Sequence, residues 1–363
     1  MTRDYVIDAF GARWSLDTTG IADDARDRLH VLWEWCRVPS ASSGDDGVEP
    51  FVVTDADPYA VSRAITIASL RRRVGSAVLL HSAGFSVGDR AVALVGPSGT
   101  GKSTAARTLG QHFGYLSDET IAIEPDGRIA PYPKPISTVV DPARRWVKDE
   151  HSPRELGLRE AGETAYLHAL VVLERDPAHE VPELAELTLA DALLAVTKES
   201  SSMPLVERPL HRLATLASGA GGPYVLRYNE IGDCVELIRD LFSTDAGRFE
   251  RQPWTSTPGA ATSAPATLPT DAETANWSEE TRIARAPWTD AVHAEGGTVV
   301  LQGTDLMRLG PVGEVAWVAS ASPITVTDLL ARVIAELGEH PDAARIVDEG
   351  LRSMVDSGIL RVA

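Results

Sequence analysis

The chain has little cysteine and no long apolar run. Its cysteines, Cys36 and Cys234, stand far apart in 363 residues, which excludes a disulfide framework and a cysteine-based metal cluster. The N-terminus lacks the apolar segment of a signal peptide, and no run approaches the ~18 apolar residues of a membrane span. We therefore expect a cytoplasmic protein that does not enter a membrane.

Basic residues are also scarce. Lys and Arg number 34 against 52 Asp and Glu, which gives a net charge of −18 and a pI of about 4.9. Such a surface repels DNA, RNA and anionic lipid, so we expect neither nucleic acid nor a membrane as a partner. Hydrophobic residues make up 44%, which is enough for a packed core, and the length predicts two or three domains.

Composition and periodicity divide the chain into four segments. Residues 1–75 alternate strand-like and helical stretches around an expected exposed loop at 40–47, and predict an α+β extension that packs on the next domain. Residues 76–245 contain short apolar runs with helical patterns between several of them, which predicts an α/β domain with a buried sheet. Pro, Ala, Ser and Thr dominate much of 246–283, as in a flexible linker. The tail, 284–363, predicts two short strands joined by a tight turn and then three helices.

The stretch GPSGTGKS, from Gly96 to Ser103, fits the phosphate-loop pattern G-x-x-x-x-G-K-[ST] in full. An apolar strand pattern precedes it, and a helical pattern follows. The glycines let backbone N–H groups point at phosphate oxygens, and the start of the helix adds a partial positive charge. Lys102 is predicted to reach the β- and γ-phosphates of ATP, and the Ser103 hydroxyl to bind Mg²⁺. The candidate nucleotide-binding residues are Gly96, Pro97, Ser98, Gly99, Thr100, Gly101, Lys102, Ser103 and Thr104.

Carboxylates follow two of the predicted strands. Asp118 and Glu119 come soon after Gly114, where we place the end of the loop helix, and at a strand end a carboxylate can meet Mg²⁺ or a substrate hydroxyl. Glu174 ends the apolar run ALVVLE and is either a Mg²⁺ ligand acting through water or an exposed strand-end carboxylate. The candidate metal ligands are Ser103, Glu119 and Glu174.

Other polar residues near these strands have less specific patterns. His81 is predicted on a strand that leads into the hairpin before the phosphate loop, where a packed core histidine is the commoner role. Exposed basic side chains are common, and no spacing distinguishes the basic residues of this region, so we assign them to the surface. These residues are Lys134, Arg144, Arg145 and Arg175.

The run from about Val78 to Ile123 resembles the core of the HPr kinase/phosphorylase family and its smaller relatives. In that family a His-containing strand, a turn, the phosphate loop, one helix and a strand with paired acidic residues follow in this order and at this spacing. The resemblance implies an ATP-dependent phosphotransferase in which Asp118 deprotonates the acceptor serine and His81 lies near the phosphate site. The catalytic candidates are therefore Asp118, Lys102 and His81, and a homo-oligomer is implied.

The chain departs from the family pattern at three points. Thr104 stands where the family has Glu, and Glu119 stands where it usually has a second Asp. The glycine-rich signature of the bifunctional enzymes is absent, and PYPKPISTVVDP stands in its place. Phosphorylase activity and a role in bacterial sugar transport therefore lack support, and the smaller relatives, often encoded with peptide-modifying enzymes, fit better.

The tail resembles a PqqD-like domain, the peptide-recognition element of ribosomal-peptide modification systems. The matching features are VVLQGTDLMRLGP, the helix entry EVAW, TVTDLL and the closing SGILRV. The resemblance implies an exposed strand edge to which a leader peptide can add a strand. The predicted edge is Leu306, Met307, Arg308 and Leu309, faced by Ile346, Leu351 and Met354. The alternative is a small winged-helix-like domain for dimerisation or DNA, but DNA is disfavoured because acidic residues dominate the last helix.

These patterns predict an α/β P-loop (HPr kinase-like) core with an N-terminal α+β extension and a C-terminal winged-helix-like PqqD domain. The leading hypothesis is a kinase that uses ATP and Mg²⁺ to phosphorylate a Ser or Thr hydroxyl of a precursor peptide whose leader the tail holds. Its expected partners are that peptide and other peptide-modifying enzymes. The alternatives are a non-catalytic, nucleotide-gated peptide carrier, and a kinase acting on a folded protein or a small hydroxylated metabolite.

Overall fold

The computed structural model describes residues 5–38, 47–141, 143–144, 147–201, 203–219, 221–243, 253–259 and 277–363. Contacts divide the chain into two compact units. Unit 1 consists of Met1–Leu187, Lys198–Val206 and Leu216–Glu250, and unit 2 of Thr188–Thr197, Glu207–Thr215 and Arg251–Ala363. The loop predicted at 40–47 lies, apart from Gly47, outside the described residues. Across the ranges given above, no helix is long and apolar enough to cross a membrane.

The N-terminal part of unit 1 is a small sheet with helices, as the sequence predicted. The strands β1 (Tyr5–Ala9), β2 (Ala12–Asp17), β3 (Arg37–Val38) and β4 (Val48–Val52) pair in the order β3-β1-β2-β4, and the helices are α1 (Asp23–Leu32) and α2 (Pro58–Arg73). Leu29 and Leu32 of α1 and Trp33, which follows it, are fully buried. These side chains pack with the buried residues of β1, where buried and half-buried positions alternate with period two.

The N-terminal part shares its core with the α/β region that follows. One cluster of buried side chains joins Trp14 and Leu32 to Leu79, Ala122 and Tyr132. The extension therefore packs on the next domain, as predicted, and it does so through one continuous core. The predicted boundary at residue 75 does not separate two cores.

The α/β region of unit 1 is built on a mixed sheet with buried strands. Its strands are β5 (Val78–Leu80), β6 (Ser82–Val87), β7 (Arg90–Val95), β8 (Gly114–Ser117), β9 (Ile121–Ile123), β10 (Arg128–Ala130), β13 (Arg159–Glu160), β14 (Ala165–Arg175), β15 (Glu183–Glu186), β16 (Ser200–Ser201) and β17 (Pro223–Tyr228). The strands β11 (Ile136–Val139) and β12 (Lys148–His151) pair only with each other and form a separate hairpin. The strands of the mixed sheet pair in the order β13-β8-β6-β7-β14-β10-β9-β5-β16, with β17 on β14 and β15 on β17. The central strands β7, β14 and β17 are parallel.

The helix after β7 is shorter than predicted. α3 runs from Lys102 to Leu109, and Gly110 rather than Gly114 follows its last turn. Gly114 instead begins β8, and glycine fits there because the chain after β13 passes close to it: a Cβ atom would lie 2.8 Å from the Ala161 Cα atom. Further helices are α4 (Leu189–Lys198), α5 (Pro209–Gly219) and α6 (Val235–Ser243).

Unit 2 contains the predicted tail elements. The strands are β18 (Thr255–Pro258), β19 (Arg282–Arg285), β20 (Asp290–Ala294), β21 (Gly297–Gln302), β22 (Asp305–Leu309), β23 (Ile324–Thr325) and β24 (Leu360–Val362), and the helices are α7 (Pro311–Ala319), α8 (Val326–Leu337) and α9 (Ala343–Asp356). Two sheets form, ordered β18-β20-β21-β22 and β23-β19-β24. The predicted hairpin of β21 and β22 and the three helices after it are confirmed.

The linker predicted at 246–283 needs correction at both ends. Residues 255–258 form β18, which pairs with β20 and is fixed there by the Trp288 Nε1 atom, which donates to the Thr257 carbonyl at 3.1 Å. Trp277 packs on α9, and its Nε1 atom donates to Asp348 Oδ1 at 2.6 Å. Both described ends therefore belong to unit 2, and residues 260–276 lie outside the described ranges.

Unit 2 also includes most of α4 and part of α5, in Thr188–Thr197 and Glu207–Thr215, which precede the tail in sequence. Arg308 Nη1 on β22 lies 2.6 Å from Asp191 Oδ1 on α4. The backbone N–H of His211, on α5, donates at 2.9 Å to the carboxylate of Asp290, which is fully buried. The tail therefore folds around contacts supplied by earlier parts of the chain.

Candidate active site

The phosphate loop joins the end of β7 to the start of α3, as predicted. Gly99 and Gly101 have φ angles of 95° and 98°, a left-handed conformation that L side chains rarely adopt. Lys102 begins the helix, and its Nζ atom donates to carbonyl oxygens of the loop, including that of Pro97 at 3.2 Å. The loop therefore curls around the Lys102 ammonium, while Ser103 remains exposed on the first helical turn.

Strand register brings the predicted catalytic residues to one end of the sheet. β6 is antiparallel to both neighbours: Ser82 is opposite Val95 of β7, and Gly84 is opposite Ser117 of β8. His81, immediately before Ser82, and Asp118, immediately after Ser117, therefore lie at the sheet end from which the phosphate loop starts.

Two other strands brace the loop. A Cβ atom on Gly96 would lie 3.2 Å from the Leu173 Cβ atom on β14, so glycine permits this close approach. The hydroxyl of Tyr228, the last residue of β17, donates to the Thr100 carbonyl at 2.6 Å. Burial raises the pKa of Tyr228 to about 12, so the phenol keeps its proton at neutral pH. Sequence reasoning missed Tyr228, because 128 residues separate it from Thr100.

Tyr228→Phe is expected to weaken ATP binding about three- to ten-fold, because one hydrogen bond worth about 1 kcal/mol no longer fixes the loop. Isothermal titration calorimetry with ATP measures the change. Tyr166→Phe, at an exposed tyrosine on β14, is the matched control and should leave the Kd unchanged. Equal affinity of Tyr228→Phe and wild type would show that the contact does not support the loop.

Asp118 belongs to a buried ion-pair cluster. Its Oδ1 atom accepts the Tyr115 hydroxyl at 3.0 Å and lies 3.1 Å from Lys134 Nζ. The same Nζ atom lies 3.3 Å from Glu119 Oε2 and donates to the Pro135 carbonyl at 3.1 Å. Lys134 is only 2% exposed, so the prediction that it lies at the surface is wrong.

The charge of Lys134 is stabilised by the carboxylates around it. Burial by itself would lower the pKa of its ammonium, but Asp118, Glu119 and Glu150 together raise it well above the ordinary value. Burial would likewise raise the pKa of Glu119, but the charge and hydrogen bond of Lys134 outweigh it and hold that pKa below its ordinary value. Lys134 therefore stays charged and Glu119 stays ionised at neutral pH.

A further buried carboxylate, Glu150, lies on β12. Its two oxygens accept hydrogen bonds from the hydroxyls of Ser62, at 3.1 Å, and Ser137. Burial raises the pKa of Glu150 to about 7, although the charge of Lys134 and the two hydroxyls act in the opposite direction. The fold therefore favours the protonated form of Glu150, and ionisation of this group costs stability.

Glu150→Gln is expected to gain stability relative to wild type as the pH rises from about 5 to about 8. The folded chain keeps the proton up to about pH 7, whereas the unfolded chain loses it near pH ~4.3, so the wild type loses stability across that interval. At about 1.4 kcal/mol per pKa unit, the relative gain is about 2–3 kcal/mol.

Urea unfolding at a series of pH values measures this gain. Glu160→Gln, at an exposed glutamate on β13, is the matched control and should follow the wild-type curve. A stability difference between Glu150→Gln and wild type that stays constant with pH would contradict the assignment.

His81 lies in the break between β5 and β6 rather than on a strand. The strand is interrupted because the His81 N–H donates to the Glu199 carbonyl at 2.7 Å and the Ser82 N–H donates to the Glu119 carbonyl at 3.1 Å. The Glu199 carboxylate lies 3.4 Å from His81 Nδ1. Burial lowers the pKa of Lys102, and the charge of Glu199 opposes that shift. Sequence reasoning missed Glu199, which follows α4.

Glu174, the third predicted metal ligand, lies near the end of β14. Its side chain is about half exposed, and its Oε2 atom accepts a hydrogen bond from Arg227 Nε at 3.0 Å. Arg144 and Arg175 also pair at the surface, as predicted, and Arg145 lies outside the described residues. In the part of the chain that the structure describes, no group of three or more His, Cys, Asp or Glu is placed to hold a metal ion.

In unit 2, β22 forms one edge of its sheet. Leu306 and Met307 are half-buried, and Arg308 is exposed and paired with Asp191. Among the described residues, no strand pairs with the outer side of β22. Such an edge offers backbone groups to an extended peptide.

Some of the predicted peptide contacts belong to the core of unit 2. Leu351 is fully buried, and Leu309 and Met354 are 7% and 9% exposed. α7 covers the last two: a Cβ atom on Gly313 would lie 3.5 Å from Leu309 Cβ and 3.6 Å from Met354 Sδ. These three side chains therefore face the core rather than a bound peptide, and Ile346 is the predicted contact on α9 that is exposed.

Comparison with known proteins gives no matching family model and no matching curated protein. Among solved structures, the chain is similar to the Hpr(Ser) kinase/phosphatase from Coxiella burnetii, with 13% identity over 46% of this chain and 93% of that chain, and a TM-score of 0.25. A TM-score this low supports no conclusion, so the function proposed below rests on the geometry of the site.

Proposed function

We propose that the chain is an ATP-dependent kinase that transfers a phosphoryl group to a Ser or Thr hydroxyl of a ribosomally made precursor peptide. One observation carries the proposal: the phosphate loop, with Lys102 at the start of α3, begins at the sheet end where His81 and Asp118 also lie. A nucleotide-binding loop beside a carboxylate that can orient or deprotonate the acceptor hydroxyl is an arrangement that supports phosphotransfer.

The residues of the loop fit ATP with Mg²⁺. A Cβ atom on Gly99 would meet nothing within 4 Å, so the loop is open on that side. The exposed Ser103 hydroxyl and the ionised Glu119 carboxylate are hard oxygen donors, which Mg²⁺ prefers, and the ion would offset charge on the phosphates. Lys102 would bind the β- and γ-phosphate oxygens.

On the acceptor side, Asp118 takes the proton of the acceptor hydroxyl or orients that hydroxyl. Its carboxylate is held in place by the Tyr115 hydroxyl and the Lys134 ammonium, which limits the movement of its oxygens. A group fixed in this way provides orientation without further loss of entropy when the acceptor arrives.

The peptide part of the proposal rests on β22. A leader peptide adds a strand along its outer side, with specificity from the half-buried Leu306 and Met307 and the exposed Ile346. Capture of the leader raises the effective concentration of the distal part of the peptide at the kinase site, provided that the peptide is long enough to reach it.

Incubation with γ-labelled ATP and the peptide encoded beside this gene tests the proposal. Label on a Ser or Thr of the peptide is expected, with less label when an excess of the isolated leader competes. Lys102→Ala should remove the label, and Lys198→Ala, at an exposed lysine, should retain it. Tight peptide binding without label would indicate a carrier, and label on a folded protein or metabolite alone would indicate a different acceptor.

A further inference from the structure

Glu199 lies at the phosphate-loop end of the sheet. It directly follows α4 and precedes β16, which pairs antiparallel with β5 so that Ser200 is opposite Leu80. This register places Glu199 beside His81, whose backbone N–H donates to the Glu199 carbonyl at 2.7 Å. The contact through the backbone holds the two chain segments together whatever side chain residue 199 carries.

The Glu199 side chain has a separate role from its backbone. It is 16% exposed, and its Oε2 atom lies 3.4 Å from Nδ1 of His81. Its charge also acts on the Lys102 ammonium. The charges of Glu119 and His81 also act on each other. Among the described residues, only the Glu199 carboxylate is within ion-pair distance of the imidazole.

We propose that Glu199 is a positioning residue for phosphotransfer: its carboxylate holds His81 with Nδ1–H directed toward it, which leaves the Nε2 lone pair for the acceptor hydroxyl. The proposal rests on the proposed kinase function. A carboxylate fixes the tautomer and orientation of a catalytic imidazole in just this way in other enzymes.

The transfer moves one proton to His81 and exchanges one P–O bond of ATP for a new one to the acceptor. The acceptor hydroxyl gives its proton to His81 Nε2, and its oxygen forms a bond to the γ-phosphorus of ATP. The bond from that phosphorus to the β–γ bridging oxygen breaks, and its electron pair leaves with ADP. Asp118, whose carboxylate already accepts from Tyr115 and pairs with Lys134, orients the hydroxyl.

His81 is better placed than Asp118 to take the proton. The His81 side chain is 43% exposed, whereas that of Asp118 is 6% exposed and its Oδ1 atom is close to two donors. An acceptor hydroxyl can therefore reach the imidazole more readily than the Asp118 oxygen that these donors already occupy.

Kinetics of Glu199→Ala, His81→Asn and the double variant test the proposal. Glu199→Ala is expected to lower kcat about 10- to 100-fold, part of the contribution of a general base, and to leave the KM for ATP within about twofold. In the His81→Asn background the same substitution should have no further effect, because the two residues act as a unit. Glu186→Ala, at an exposed glutamate on β15, is the matched control. A wild-type rate for Glu199→Ala would overturn the proposal. So would a double variant in which the rate losses of Glu199→Ala and His81→Asn multiply, because the two residues would then act independently.

Nitrogen NMR of the histidine side chains gives a second test that does not need phosphotransfer. At a pH where the imidazole is neutral, His81 should be in the Nδ1–H tautomer in the wild type and in a mixture in Glu199→Ala. The His81 signals are those that His81→Asn removes from the signals of the 9 histidines. An Nε2–H tautomer in the wild type would overturn the proposal. If His81 has the Nδ1–H tautomer but the protein transfers no label from ATP to any acceptor, the kinase function is refuted. The interaction between Glu199 and His81 is then still supported.

Discussion

Asp118→Asn is expected to lower the rate of phosphotransfer about 10²–10⁴-fold while the affinity for ATP stays within about twofold. Asparagine has the shape of aspartate and can still accept the Tyr115 hydroxyl, but it lacks the charge that orients the acceptor hydroxyl or takes its proton. The phosphate loop, which starts from β7, makes its own contacts to β14 and β17 and is unaffected. Single-turnover transfer from γ-labelled ATP and calorimetric titration of ATP measure the two quantities.

The matched control for Asp118→Asn is Asp89→Asn. Asp89 is exposed in the turn between β6 and β7, at the other end of the same hairpin, so its substitution should change neither rate nor affinity. A wild-type rate for Asp118→Asn would exclude any role for Asp118 in the transfer. Loss of ATP affinity together with transfer would show that the carboxylate supports the fold of the site instead.

Lys134→Met is expected to lower the free energy of unfolding by about 3–5 kcal/mol. The substitution removes the ammonium from a buried cluster and leaves the Asp118 carboxylate, 6% exposed, without its cation. Methionine fills a similar volume, so the loss reports charge rather than a cavity. Urea unfolding at neutral pH measures it, and Lys198→Met, at an exposed lysine, should change the free energy by less than about 0.5 kcal/mol.

The double variant Lys134→Met/Asp118→Asn separates charge from packing. It should recover part of the stability lost by Lys134→Met, because the neutral amide no longer needs a buried cation. If the two substitutions destabilise additively, the pair is not energetically coupled, and the 3.1 Å distance between Asp118 and Lys134 has little effect on stability.

The features that sequence predicted well are local. The phosphate loop is set by residues within one strand, turn and helix, and the tail helices follow from apolar periodicity, with Thr325 capping α8 through the Asp328 N–H as a capping residue should. The order of the elements from β6 to β8 also brought His81 and Asp118 to the same sheet end, because antiparallel neighbours return the chain there.

The features that sequence missed depend on contacts between distant segments. Tyr228 reaches the loop from β17, and Glu199 reaches His81 through the pairing of β16 with β5. Lys134 has a proline on each side in the sequence and shows no spacing typical of a site. The carboxylates that interact with it come from other segments and approach it only in the folded chain. The helical periodicity around Leu351 fits either a core residue or a residue that lines a peptide groove. The packing of unit 2 buries it fully in the core.

The way unit 2 is assembled limits how its peptide-binding part can be isolated. A gene fragment that starts at residue 251 would still encode β18 to β24, and yet it would omit Asp191, the ion-pair partner of Arg308, and His211, whose N–H binds the buried carboxylate of Asp290. The buried Asp290 carboxylate would then lose the His211 N–H and keep only the Ala291 N–H, which donates to its Oδ1 atom at 3.0 Å, of these two backbone donors. Grafting the tail onto another enzyme therefore calls for transplanting the matching turns of α4 and α5 as well, or for replacing Asp290 with a residue that needs no donor.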